Sequence, residues 1–443
     1  MYDAIVAEDL GKPAVPLCNH GFVTDARSAG SVRGMPGLRI VPEKIPSECT
    51  VLEEIEEGIN SEVLDNIVDS LTNPLTTDEK FPKKEEEKPP RIVFKGNLKE
   101  INRYYYKRGW TDGFPIIPPT EEEVVEMMTG TDLPPDHVVT KIIPRLGNAT
   151  VEKIAINAVM AGALPTYMPV LIAAVKALME PRASFGTTEV STASWIPFWI
   201  INGPIRHDVN INSSSGALSP GNIANAAIGR ALGLIVKNIG GARQGIEDMG
   251  IYGNPGKYTM VTGENEEESP WEPFHVGQGF RKEDSTITIS FPFSYSFLMG
   301  FGSDSKGILR RILYHIRGGQ TTIIMNTQHA EALAKDGWTK KEIAAFISEY
   351  ARRPAHSHPG FRLFGKEQKK WEPVNPNDSV AILRSPDMIR ILVAGGPGGT
   401  GISMASGGES WVKEWVTEKI ELPSSWDTLV RKYKNIIPTY MRY

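Results

Sequence analysis

The apolar positions of this 443-residue chain fall into two periodicities. Val151, Ile154, Ala155, Ala158, Val159 and Gly162 recur at helical spacing, which predicts a helix over 151–163 with Asn148 as its N-cap. Residues 169–179 predict a second, almost wholly apolar helix. Shorter runs read as strands: 195–201, the alternating 285–291, 320–326, and the run that starts at Ile389. A further helix with small residues (Ile223, Ala226, Ala227, Arg230, Ala231, Leu234) follows Asn222, with Ser219 expected as N-cap and Pro220 at the first helical position. Helices alternating with short strands predict an α/β fold.

The beginning of the chain follows the same alternation. Residues 2–10 read as an amphipathic helix closed by Gly11, 13–17 as a short strand, Asn19-His20-Gly21 as the opening of another helix, and 38–41 as a strand after the Gly34-Met35-Pro36-Gly37 turn. That is the second half of a β-α-β unit: the chain is expected to enter inside a crossover helix, leaving the strand over 13–17 without an obvious parallel neighbour. Residues 72–90 concentrate charge and proline and offer little to bury. The expected organisation is a small partial β-α-β domain over 1–71, a charged Pro-rich linker over 72–90, and a larger mixed α/β domain over 91–443. Beyond the linker, 98–107 predicts a helix, and Thr120 with Glu123 predicts a capped helix start.

Composition narrows the partners. A formal charge of -5, 40% hydrophobic residues and a mean hydropathy of -0.23 give no reason to expect nucleic acid or membrane. The longest apolar runs, such as 170–174, are far too short to span a bilayer. Two cysteines, Cys18 and Cys49, make no disulfide framework. A cytoplasmic homo-oligomer is the expectation.

Candidate chemistry concentrates in 199–245. An apolar strand turns at Asn202-Gly203-Pro204, and Arg206, His207, Asn210, Asn212, Ser213, Ser214, Ser215, Ser219, Gly221 and Asn222 then crowd polar groups before the small-residue helix. Free amides at a helix start beside Arg206 suit a carboxylate or phosphate, so these residues, except His207, are read as substrate-binding. The alternative is that Asn and Ser satisfy the backbone of a long loop. On the first reading, Arg206→Ala weakens an anionic ligand and leaves the fold intact. Lys257, in the 253–257 turn, is a second cation for the same anion, and the hydroxyl-rich 187–192 is expected to share the pocket.

His207, and Glu272 with His275 in a proline-bracketed loop, are candidate acid/base groups. Gly396, Gly398, Gly399 and Thr400 follow a strand and let backbone amides crowd an anion, so they read as a second anion-holding wall, the alternative being a tight structural turn. Neither a Walker sequence nor a dinucleotide fingerprint is present. Cys18 and His20, two apart at a strand end, are a candidate nucleophile and partner if the thiol pKa is lowered, the alternative being a structural cysteine. His329 and Glu331 cannot share a helix face and read as helix-terminal capping, and His356 with His358 lack a third ligand, so no metal is expected.

Several strings carry a resemblance when taken in order: GWTDGFPIIPPTEEEV, PRLGNATVEKIAINAVMAGALP, NGPIR, GNIANAAIGRAL, NPGKYTM and ENEEESPWEPFHV. Together they resemble long members of the UGSC family, named for a selenocysteine (or cysteine)-Gly-Ser-Cys motif, over most of 100–405. DAIVAEDLGKPAVPLCNHGF is similar to the part of the family's domain that follows the motif. No Cys-Gly-Ser-Cys occurs in these 443 residues. The resemblance implies a thiol- or selenol-dependent oxidoreductase or carbon-heteroatom cleaving enzyme acting on a small anion, distantly similar to the selenoprotein component of glycine reductase. It implies a selenocysteine or cysteine dyad outside this chain, upstream or on a thiol- or selenol-bearing subunit. The residues leave two other readings open: a non-redox lyase or hydrolase, and a non-catalytic substrate-binding subunit.

Overall fold

A computed structural model describes residues 2–45, 51–80, 91–300, 302–357, 375, 377–407 and 414–436. Cys49, His358 and residues 81–90 of the expected linker lie outside them.

The N-terminal β-α-β unit is present, with shifted boundaries. Strand Leu17–Asn19 pairs in parallel with Val41–Glu43, and the turn His20–Phe22 and helix Val23–Val32 connect them. The strand expected over 13–17 starts only at Leu17, because Pro13 and Pro16 have no N–H for a ladder. It also has the parallel neighbour that the sequence reading lacked. Asn19 opens the helical stretch as expected, its side chain accepting from the Gly21 amide. Arg39 binds the carbonyls of Ser70, Asn73 and Pro74 and both oxygens of Glu79, so ordered contacts run on into the acidic stretch after residue 71.

The larger part is α/β, as expected, and is built in four layers around two stacked four-stranded sheets. In the first, strands lie in the order Val416–Lys419, Thr286–Ser290, Phe198–Asn202, Val261–Gly263, the last two parallel. In the second the order is Ile389–Val393, Thr321–Met325, Gly401–Ser406, Ser294–Met299, the first two parallel. Alternation assigns the faces. Trp199, Ile201, Ile287 and Ile289 pack on helices Val151–Ala161, Met168–Met179 and Ile223–Asn238. Phe198 and Ile200 point the other way and meet Ile324, Leu392 and Ala405 of the second sheet. That sheet's outer face, through Ile323, Met325, Ile391 and Met404, packs on helices Ser305–His315, Thr327–Lys335 and Lys340–Tyr350.

Helix starts differ from expectation for local reasons. Thr150, not Asn148, caps the helix at Val151, because Asn148 is paired opposite Lys141 in the hairpin of Val138–Ile142 with Gly147–Thr150. The helix ends at Ala161, where Gly162 takes a φ of 80°. Asn222, not Ser219, caps Ile223–Asn238 by accepting from the Asn225 amide. Gly221, at φ 126°, turns the chain first and keeps Pro220 out of the helix.

Between the sheets, the Trp415 indole donates to the Thr322 hydroxyl at 2.9 Å, and the Thr288 and Thr417 hydroxyls bond at 2.8 Å. Thr322→Val keeps shape but strands the buried indole N–H, so we expect a loss of about 1–3 kcal/mol in a denaturant titration. An unchanged midpoint would mean that this bond does not help hold the layers together.

Candidate functional site at the carboxyl edge of the sheets

Strands Phe198–Asn202 and Val261–Gly263 end side by side, and the chain leaving the second reaches the other sheet, where the Asn265 amide donates to the Val393 carbonyl at 2.8 Å. Two residues on, the Gly395 amide donates to the Ser213 carbonyl at 2.9 Å. The carboxyl ends of strands from both sheets therefore meet. The two walls read from the sequence, Ser213 to Ser215 and Gly396 to Thr400, are brought into contact there. A Cβ on Gly396 would lie 1.8 Å from the Ser215 hydroxyl, so glycine is what lets the loops touch.

Beneath them lies a knot of buried charge. Asn202 donates to Glu264 at 2.7 Å and to Glu266 at 2.9 Å, and the Gly203 amide donates to Glu266 at 2.7 Å. Glu264, fully buried, also accepts from the Phe274 amide and from Lys340 Nζ at 2.9 Å. Lys340 comes from the outermost helix layer, so this ion pair ties the second sheet's helices to the first sheet.

Arg206 completes the knot and corrects the sequence reading. Its guanidinium is 3% exposed, donates to the carbonyls of Gly203 and Glu264, and forks onto both oxygens of Glu267 at 2.9 and 3.1 Å. Its Nε also lies 3.2 Å from Glu266. Such a saturated guanidinium is a clamp for its own loop and has no open face for a substrate anion. His207, half exposed, bonds Glu267 through Nε2 at 2.8 Å. Partial burial raises the Glu267 pKa, but bonds from Arg206 and His207 outweigh it and bring it down to about 2.

The asparagines mostly serve the backbone, the alternative left open by the sequence. Asn212 donates to the Ser215 carbonyl and accepts from the Ser214 amide, and Asn222 donates to the carbonyl of Asn210, which sits at φ 57°. Asn225, missed from the sequence because it looked like one more small helix residue, accepts from the Asn212 amide and donates to the carbonyls of Asn212, Ala217 and Val261. Ser215, Ser219 and Gly221 face solvent, Ser214 partly so, and Ser213 is buried.

The glycine loop is pinned from behind by Asn326 and Ser303, which the sequence did not single out, and by His329, which it considered only as a metal ligand or helix cap. Asn326 reaches the Gly398 and Gly401 carbonyls at 2.7 and 3.2 Å, while Ser303 and His329 bond the Gly399 carbonyl at 2.6 and 3.1 Å. Burial lowers the His329 pKa; neutral imidazole donates through Nε2 to the carbonyl and accepts from Asn326 at Nδ1. With the carbonyls turned back, the amides of Gly396, Gly398, Gly399 and Thr400 find no acceptor among the described residues. That arrangement can hold an anion.

Other named residues lie elsewhere. Lys257 precedes strand Val261–Gly263 and so sits at the opposite edge, bonded to both Asp248 oxygens and 3.9 Å from the Trp195 ring centroid. The 187–192 stretch belongs to that edge too, its first part in helix Phe185–Glu189. The Glu272 side chain is exposed, and only its carbonyl is engaged, by Lys340. His275 is fully buried with Nε2 bonded to the Arg281 carbonyl, so it cannot exchange protons with a ligand at the surface. Cys18 and His20 are in the N-terminal unit. Burial, Asp25 and Glu43 push the Cys18 thiol up, against the requirement for a nucleophile. Among the described residues no group of three or more His, Cys, Asp or Glu is arranged to hold a metal. A cavity of about 380 Å³ lies between helices Glu121–Met128 and Trp426–Tyr433, and none of the candidate catalytic or substrate-binding residues lines it.

Fold and edge together define an α/β protein with a polar edge where two sheets end and a serine loop meets a glycine loop. Residues 1–73 match the UGSC family model, so the N-terminal unit is similar to that family. The match stops at residue 73, so over 100–405 the resemblance is carried by its motifs alone. No curated protein and no solved structure matches the chain. Among the described residues no helix is long and apolar enough to cross a membrane.

Two measurements follow from these networks. Arg206→Ala leaves the buried Glu266 and the Glu264 carbonyl without their cation, so we expect a stability loss of about 3–5 kcal/mol, the reverse of a tolerated substitution; an unchanged unfolding midpoint would refute the clamp. At the opposite edge Glu189 is fully buried with neither oxygen hydrogen-bonded, and burial, then Asp248, push its pKa up to about 9. The folded state therefore holds a proton that the unfolded state releases at its ordinary pKa of 4.5, and stability falls as pH rises from about 4.5 to about 9. The melting temperature of Glu189→Gln should gain on that of the parent across this window, and a constant difference would show that Glu189 does not titrate there.

Proposed function

We propose that this protein takes part in thiol- or selenol-dependent redox or carbon-heteroatom cleavage chemistry on a small anionic substrate, held at the carboxyl edge by the Ser213 to Ser215 and Gly396 to Thr400 loops. The observation that supports it most is the set of amides on the glycine loop without an acceptor among the described residues, on a loop whose carbonyls Ser303, Asn326 and His329 tie back. The UGSC match over 1–73 supports the chemistry. Cys18, its thiol pushed up by burial, is a poor nucleophile, and no selenocysteine- or cysteine-Gly-Ser-Cys motif occurs in these 443 residues, so we place the reactive sulfur or selenium on a partner subunit or elsewhere in the same polypeptide. A second reading has its own observation: His207 against Glu267 at 2.8 Å is a half-exposed imidazole oriented by a carboxylate, which suits a general base in a non-redox lyase.

The experiment is intact-mass analysis of the native assembly from its own organism. A leading segment or partner with a selenocysteine- or cysteine-Gly-Ser-Cys motif is expected beside the 48.8 kDa chain. An assembly made of the 48.8 kDa chain alone would remove the redox reading and leave His207.

A further inference from the structure

Strand Ser294–Met299 forms the free edge of the second sheet, and it breaks the usual rule for an outer strand. Tyr295, Phe297 and Met299 point to one face and are 47%, 58% and 62% exposed. No charge or proline interrupts the strand, although proteins commonly blunt exposed edges in that way. A contiguous exposed apolar stripe on a soluble fold usually marks a contact with something else.

Its position relative to the glycine loop suggests what that is. Met299 lies opposite Gly401 and Phe297 opposite Ser403, so the stripe begins where the loop ends. The Phe297 ring rests on Gly401, where a Cβ would come within 2.1 Å of it. The Tyr295 hydroxyl bonds Ser403 at 3.0 Å, which fixes the far end of the platform.

The charge at the near end is also defined. Arg311 is 2% exposed and donates to the Gly300 and Gly302 carbonyls, both at 2.6 Å, in the turn that leaves Met299. Its third nitrogen, NH1, has no partner, and among the described residues no carboxylate pairs with it. The charge reaches His329, whose proton affinity it lowers. A buried, uncompensated guanidinium behind the Gly300 turn adds a positive field where the glycine-loop amides have no acceptor among the described residues.

We infer that the ligand of this edge is an amphiphilic anion, its charged head on the amides of Gly396, Gly398, Gly399 and Thr400 and its apolar body along Tyr295, Phe297 and Met299. This rests on the anion-holding role proposed for the glycine loop and adds the class of substrate. A carboxylate on an alkyl or aryl chain meets both demands, whereas a bare inorganic anion leaves the stripe uncovered.

The test is a ladder of straight-chain carboxylates from acetate to octanoate, with 1-octanol as the uncharged control, followed by ligand-observed NMR titration of the full chain. Affinity should rise about threefold per added methylene while the chain lies on the stripe, and octanol should bind at least tenfold more weakly than octanoate. The exposed double substitution Phe297→Ser with Met299→Ser should flatten the ladder and leave acetate unchanged. Carboxylates that bind with no dependence on chain length would overturn the inference and leave the anion loop standing. Octanol binding as well as octanoate would show an apolar surface unconnected to the loop and equally overturn it. If no carboxylate binds, the anion-holding loop fails as well.

Discussion

The fork of Arg206 onto Glu267, backed by Glu266 and the Glu264 carbonyl, is the interaction on which the carboxyl edge depends. Strands that end together inside a protein leave backbone groups and charges that water can no longer serve. Here one guanidinium closes the turn after Phe198–Asn202, fixes the acidic chain after Val261–Gly263 and orients His207. Lys340 does the same from the opposite side through Glu264. Every buried carboxylate in this knot has a cation or a fork of amides on it. The loops above are consequently set by the knot and not by their own flexibility.

That support explains how a long polar loop can be both irregular and well defined. Asn225 bonds three carbonyls and one amide of segments far apart in sequence, and Asn222 and Asn212 extend the network outward. On the facing loop, Asn326, His329 and Ser303 treat the glycine segment in the same manner, holding carbonyls and leaving amides without an acceptor among the described residues. The two walls are built alike: side-chain amides, a hydroxyl or an imidazole hold the backbone from behind.

Periodicity made the layers legible. The unbroken apolar run at Phe198, Trp199, Ile200 and Ile201 reads correctly as a buried strand, and the 151–163 pattern as a helix. The stacking of two sheets was not legible, because a strand covered by a sheet and one covered by a helix look alike in sequence. Helix starts were misplaced wherever two polar residues competed to be the cap, since the deciding factor was a strand pairing at Asn148 or the glycine turn at Gly221. At the site, residue types suggested polar crowding and an anion-friendly loop. What they could not show was which charges are already consumed: Arg206 and Lys257 look free in sequence and are both paired with carboxylates in space. The residues that hold the glycine loop, some 70 to 100 positions away from it, carry no local signal at all.

The order of strands has a consequence for synthesis. The first sheet draws its outermost strand, Val416–Lys419, from beyond the whole of the second sheet, which occupies 294–406. As the chain leaves the ribosome, Thr286–Ser290 must wait with one side of its ladder open until residue 419 has emerged. The inner layers are nested, so the later-made sheet can close first and the earlier-made one last. A nascent chain halted before residue 416 would carry a complete second sheet and an unfinished first, with an apolar, β-branched strand presenting bare N–H and C=O groups to any neighbouring chain.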